Sequence, residues 1–290
     1  MNDTNAGREF AFRIVNVFAE ERLAGNPLAV FENARGLSDN EMQSLALQFN
    51  LSETTFILPS DVADARVRIF TPTFEMPFAG HPTLGSAHVV RALAGGGNAL
   101  GLEMQAGTIP VIAHGDVWTL EAKPPSTRPV GASAEELAAM LGLGVTDLGA
   151  TPLWVDTGTE QLVIPLASAT AVRRCVPDAA LVARVGSVQL GAGVARAMAY
   201  VWAEDGPGSI LARFFFPKHG AIVEDPGTGS ACANLGGWLV ATGAPLPQQW
   251  SVAQGEAVGR RCKLGLGVDS GGRIFVSGRV IELGRGTVHL

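Results

Sequence analysis

The chain has 290 residues, enough for about two domains, and its 47% apolar and 17% charged residues allow a sizeable core. Its 21 basic and 27 acidic residues leave a formal net charge of −6 with no basic tract, which argues against nucleic acid as the main partner. No apolar run approaches the roughly 18 residues of a membrane span, and no basic stretch followed by an apolar one opens MNDTNAGREF, so a cytoplasmic protein with no membrane partner is expected.

GREFAFRIVNVFAEERLAGNPLAVFEN reads as two strands around a Gly25-Asn26-Pro27 turn. Ser38 and Glu41 form a capping box that starts a helix, with Met42, Leu45, Ala46 and Phe49 on one face and Asn50 as its stop. The β-branched and aromatic run 51–58 predicts a strand with Glu53 at its start. ARVRIF, 65–70, alternates as a strand does, and 102–123 reads as strands joined by turns at Gly107 and Gly115. Ser133 and Glu136 predict a second capped helix ending near Gly142. The stretch 154–163 resembles the opening hairpin, with Gly158 in place of Gly25. Pro177 predicts a short helix, 195–204 a strand, and 249–285 glycine-punctuated strands.

One block occurs twice. His81-Pro82-Thr83-Leu84-Gly85-Ser86-Ala87 returns as Asp225-Pro226-Gly227-Thr228-Gly229-Ser230-Ala231. Each copy follows an aromatic segment with a proline and precedes an apolar helical pattern, Ala87 to Leu93 and Leu235 to Val240. A block repeated with its flanks indicates a duplicated unit. The expected architecture is α+β: two pseudo-symmetric halves, 1–130 and 131–290, each a mainly antiparallel, barrel-like sheet around a central helix, with terminal strands free to cross over.

Gly-Ser at a helix start exposes backbone N–H donors that suit a carboxylate or phosphate. Gly80, Ser86, Gly229 and Ser230 are therefore candidate substrate-binding residues, although both serines could simply cap their helices. His81 and Asp225, the polar residues that differ between the copies, are candidates for chemistry. Glu53 is a candidate general base, because burial beside Leu51 and Phe56 would favour proton transfer. The corresponding place in the second half, near Ala197, has no carboxylate.

VNVFAEERLAGNPLAVF (15–31), NLSETTF (50–56), PFAGHPTLGSAHVV (77–90) and EDPGTGSACANLGGWL (224–239) together resemble the PhzF family of phenazine-biosynthesis-like proteins, nearly end to end. The resemblance implies a fold similar to diaminopimelate epimerase, with the site between two halves, no metal, no organic cofactor and a homodimer. It implies an isomerase that moves a proton between carbons of a small cyclic or amino/hydroxy acid. The family's catalytic glutamate matches Glu53, its histidine His81 with Gly80 before it, and its aspartate and serine Asp225 and Ser230.

Other classes fit less well. A two-thiol racemase would need cysteines near His81 and Asp225, and neither is cysteine; a one-base epimerase stays open. His81 and His88 lack a zinc ligand set around them. Three widely spaced cysteines make no disulfide framework, and Cys232 reads as core. No G-x-S-x-G occurs for a serine hydrolase. A small-acid binding protein without turnover is the rival from outside the enzymes.

Overall fold

The computed structural model describes residues 7–190 and 194–290. The N-terminal MNDTNA, on which the expectation of no leader rests, lies outside them. The chain falls into two compact units, one running to Leu120 and resuming at Gly278–Leu290, the other Glu121–Ser277. Among the described residues no helix is long and apolar enough to cross a membrane.

The first unit opens with the hairpin of β1 (Glu9–Val17) and β2 (Asn26–Phe31). Gly25 before β2 has φ +81°, and a Cβ there would lie 2.6 Å from the Val17 carbonyl oxygen, so the turn demands glycine. The capping box of Ser38 and Glu41 starts α1 (Asp39–Phe49), and Asn50 in the left-handed region stops it. β3 (Thr54–Leu58) runs parallel to β2 and antiparallel to β4 (Ala65–Phe70). The short β5 (Glu75–Met76) folds back on β4 before α2 (Gly80–Ala94). β6 (Ala99–Met104), β7 (Gly107–His114) and β8 (Val117–Glu121) follow as a meander.

The second unit begins with β9 (Ser126–Pro129) and the capped α3 (Ala134–Leu141). β10 (Leu153–Asp156) and β11 (Glu160–Pro165) form the expected hairpin. Two short helices follow, α4 (Ala169–Arg174) and α5 (Ala179–Val185), capped by Ser168 and Asp178. The sequence predicted only the second. The single strand expected over 195–204 is two, β13 (Val194–Ala197), paired with β12 (Ser187–Leu190), and β14 (Ala199–Glu204). The break falls at Met198, whose N–H donates to the Gly186 carbonyl. β15 (Ser209–Lys218), β16 (Ala221–Asp225), α6 (Gly229–Ala241), β17 (Gln248–Gln254), β18 (Cys262–Val268) and β19 (Ile274–His289) complete the chain.

In the first unit the pairings run β1–β2–β3–β4–β6–β7–β8–β19 and return to β1, which closes eight strands into a barrel. α2 packs on β1, β2, β3, β4 and β6. It buries Leu84, Ala87 and Val89 completely, each large side chain contributing about 1.5–3 kcal/mol. In the second unit β9, β10, β11, β14, β15, β17, β18 and the start of β19 pair in that order, and α6 packs on β9, β10, β11 and β18. The antiparallel and parallel senses alternate as they do in the first unit.

The start of α2 corrects the sequence reading. The helix begins at Gly80, so the whole HPTLGSA block is helical and Ser86 lies in its interior. Pro82 is accommodated because the first turn has no intrahelical use for its missing N–H. The close approach of α2 to the sheet rests on Gly85, where a Cβ would meet Leu28 at 2.6 Å, Val17 at 3.0 Å and Val15 at 3.2 Å. All three neighbours are fully buried. Gly85→Ala is predicted to destabilise the protein despite the ~1 kcal/mol that alanine gains in a helix, because overpacking costs about 1–3 kcal/mol. Urea unfolding checks it against Gly131→Ala, a position with open space around it that should change little.

Candidate active site

In the first unit the fold brings Glu53 and His81 together. Glu53 directly precedes β3, and His81 is the second residue of α2. Glu53 Oε2 and His81 Nε2 are 3.4 Å apart, with side chains 16% and 7% exposed. β3 is fixed from the opposite side by aromatic packing. Phe56 stacks on Phe31 at 4.8 Å and meets Phe70 edge-on at 5.5 Å. Ser86 ties α2 to the same strand, its hydroxyl 2.9 Å from that of Thr55, with both residues fully buried.

Burial pushes the His81 imidazole down to about 3, and a hydrogen bond from the ring to the Pro27 backbone carbonyl only partly opposes this. The ring is therefore neutral at physiological pH. The 3.4 Å contact thus joins the Glu53 carboxyl group to an uncharged ring. His81 Nδ1 also lies 3.4 Å from Asn26 Nδ2. Sequence reasoning assigned Asn26 and Pro27 to the turn alone, yet this turn holds the back of the imidazole.

In the second unit Asp225 ends β16 and Gly229-Ser230 opens α6. The Thr228 hydroxyl donates to Asp225 Oδ2. Gln254, 1% exposed, gathers the turn between them. Its Nε2 donates to the Asp225 carbonyl at 2.8 Å and to Thr228 Oγ1 at 3.0 Å, while its Oε1 accepts from the Thr228 N–H at 3.2 Å. Ser230 Oγ accepts from Gln161 Nε2 at 3.0 Å. Gln161 and Gln254 went unremarked in the sequence, since a glutamine in a strand carries no local signal of its partner. Cys232 is fully buried, and burial pushes its thiol up.

Neither repeat serine is an N-cap. The N-cap residues of α2 and α6 are Ala79 and Thr228, and neither makes a side-chain cap bond. α1, α3, α4 and α5 all have one. The two central helices thus keep backbone N–H donors, and the positive end of the helix dipole, without a capping side chain.

The repeat register also differs from the one the block suggests. Arg68 clasps Glu75 with two bonds of 2.7 Å and lies over Phe70 at 5.0 Å. Arg213 clasps Glu224 at 3.1 and 2.7 Å and lies over Phe215 at 4.7 Å. Phe70 pairs with Glu75 across β4 and β5, as Phe215 pairs with Glu224 across β15 and β16. This clamp makes Met76 the counterpart of Asp225, and Gly80-His81 the counterpart of Gly229-Ser230. His81 and Asp225 are not equivalents, although the HP and DP dipeptides align them. The counterpart of Glu53 is Met198, because Thr54 faces Phe70 as Ala199 faces Phe215.

Known proteins resemble this chain in sequence and in fold. The family model for phenazine biosynthesis-like proteins, PhzC-PhzF, matches residues 15–283. An uncharacterized isomerase of Pasteurella multocida is 38% identical over 97% of this chain and 94% of its own. The trans-2,3-dihydro-3-hydroxyanthranilate isomerase of Pseudomonas chlororaphis is 34% identical over 96% of this chain and 98% of its own. The crystal structure of a Bacillus anthracis phenazine biosynthesis protein of the PhzF family superposes with a TM-score of 0.83 at 24% identity, covering 98% of this chain and all of that one. The chain belongs to the PhzF family of phenazine biosynthesis-like proteins.

Proposed function

We propose that this protein is an isomerase that moves a proton between two carbons of a small cyclic acid, with Glu53 as general acid and base. The observation that carries the reading is the half-buried Glu53 carboxylate 3.4 Å from His81, a ring kept uncharged by burial. The carboxylate takes a proton from an activated C–H, and the electron pair left behind delocalises into the conjugated system. The same carboxyl returns the proton to a second carbon. Nothing is oxidised or reduced, and no cofactor is called for. His81 positions Glu53 or a polar ring substituent of the substrate, and Asp225 is assigned a like role. The uncapped starts of α2, at Gly80, and of α6, at Gly229 and Ser230, are each suited to donate to an acid group. Ser86 supports α2 from within rather than touching substrate. The relative from Pseudomonas chlororaphis, by its name, acts on a cyclic amino acid of this class.

Glu53→Gln keeps the shape of the side chain but cannot take a proton, and it should lower kcat by about 10²–10⁴-fold. The check is solvent deuterium incorporation into trans-2,3-dihydro-3-hydroxyanthranilate and other small cyclic acids, followed by NMR. Unchanged exchange in the variant would refute the role of Glu53. Binding with no exchange at any carbon in the wild type would make the protein a binding module instead.

The neutral His81 also sets a pH dependence of stability. Its folded value, about 3, lies below the ~6.5 of an unfolded histidine. Above about pH 6.5 the difference has no effect. As pH falls from there towards 3, the unfolded chain takes up a proton that the folded one refuses, and stability falls by up to about 1.4 kcal/mol per pH unit. The wild type should therefore lose more stability than His81→Asn between pH 6.5 and 4, measured by urea unfolding. Parallel curves would contradict a neutral buried ring.

A further inference from the structure

The second unit holds a buried amide relay that reaches the head of α6. Asn234, one turn after Ser230, is fully buried, and Gln161 of β11 is 2% exposed. Asn234 Oδ1 accepts from the Thr157 N–H at 2.9 Å and from the Thr157 hydroxyl at 2.6 Å. Asn234 Nδ2 donates to the Thr159 carbonyl at 2.9 Å and to Gln161 Oε1 at 2.8 Å. Gln161 Nε2 donates to Ser230 Oγ at 3.0 Å.

Two backbone groups dictate the polarity of this chain. The Thr157 N–H can only donate and the Thr159 carbonyl can only accept, so Asn234 has one permitted orientation. Its amide then meets the oxygen end of Gln161, which turns the nitrogen end of Gln161 towards Ser230. A hydroxyl has one proton. With its oxygen already accepting from Gln161, Ser230 directs that proton elsewhere. The reverse arrangement would set N–H against N–H, or carbonyl against carbonyl, and leave those groups unpaired inside the core.

We infer that Gln161 is a positioning residue that, oriented by Asn234, commits the Ser230 hydroxyl to donating a hydrogen bond to the ligand's acid group. The inference rests on the proposed role of the α6 start in holding that group. With Ser230 fixed as a donor beside the uncapped N–H groups of α6, this end of the site offers donors and selects ligands that present acceptor oxygens. The relay thereby separates an acid from an amine of the same shape.

Benzoate serves as the probe, titrated by calorimetry into the wild type, Ser230→Ala, Gln161→Leu and the double variant. Each single variant should lose about tenfold in affinity, and the double variant no more than the weaker single one, because Gln161 acts only through the hydroxyl. Losses that multiply to about a hundredfold, or Gln161→Leu binding like the wild type while Ser230→Ala is weakened, would overturn the role of Gln161. If Ser230→Ala binds like the wild type, or the wild type does not bind benzoate, the assigned role of Ser230 fails first and the inference with it. Should Gln161→Leu fail to fold, Gln161→Glu replaces it, since its carboxylate still accepts from Asn234 and draws the Ser230 proton to itself. Acetophenone, neutral and able only to accept, is then the probe: weakening equal to that of Ser230→Ala supports the relay, and unchanged binding overturns it.

Discussion

The site in the first unit depends on one constraint, the burial of an imidazole against a carboxylate. His81 is enclosed because α2 approaches β1 and β2 closely, and the approach is possible because position 85 has no side chain. Burial removes the ring's charge, so Glu53 has an uncharged imidazole 3.4 Å away. Packing, protonation state and proposed chemistry are thus one chain of cause. A larger residue at 85 would reach Glu53 through His81 without touching either.

Duplication supplies the scaffold, and divergence supplies the chemistry. The Arg-Phe-Glu clamp is kept in both units, Arg68 with Phe70 and Glu75, Arg213 with Phe215 and Glu224. These pairs sit on the strands that lead into α2 and α6, so they fix where each helix begins. At the equivalent helical position one unit carries His81 and the other Ser230. Ahead of the equivalent strand one carries Glu53 and the other Met198. Only one unit therefore carries a carboxylate ahead of this strand, which fits a single group that takes and returns the proton.

Much of this was legible in the amino acids, for local reasons. Both capping boxes, at Ser38 and Ser133, start helices where expected, because a cap depends on residues within one turn. The opening hairpin and the glycine-marked meander after α2 also follow from near neighbours. Two of the errors share an origin in the weight given to a proline. Pro82 concealed the first turn of α2, and the paired HP and DP dipeptides set the repeat out of register. The contacts that hold His81 and Ser230, from Asn26, Pro27, Gln161 and Asn234, join residues distant in the chain. No local pattern marks such partners.

The proposed chemistry depends on the charge of one ring. Histidine ring NMR on protein with labelled imidazole, followed from pH 8 to pH 5, reads it directly. The His81 signal should stay at the neutral position throughout that range. A His81 ring that takes up a proton at or above about pH 6.5, the ordinary value for histidine, would contradict a buried, neutral imidazole beside Glu53.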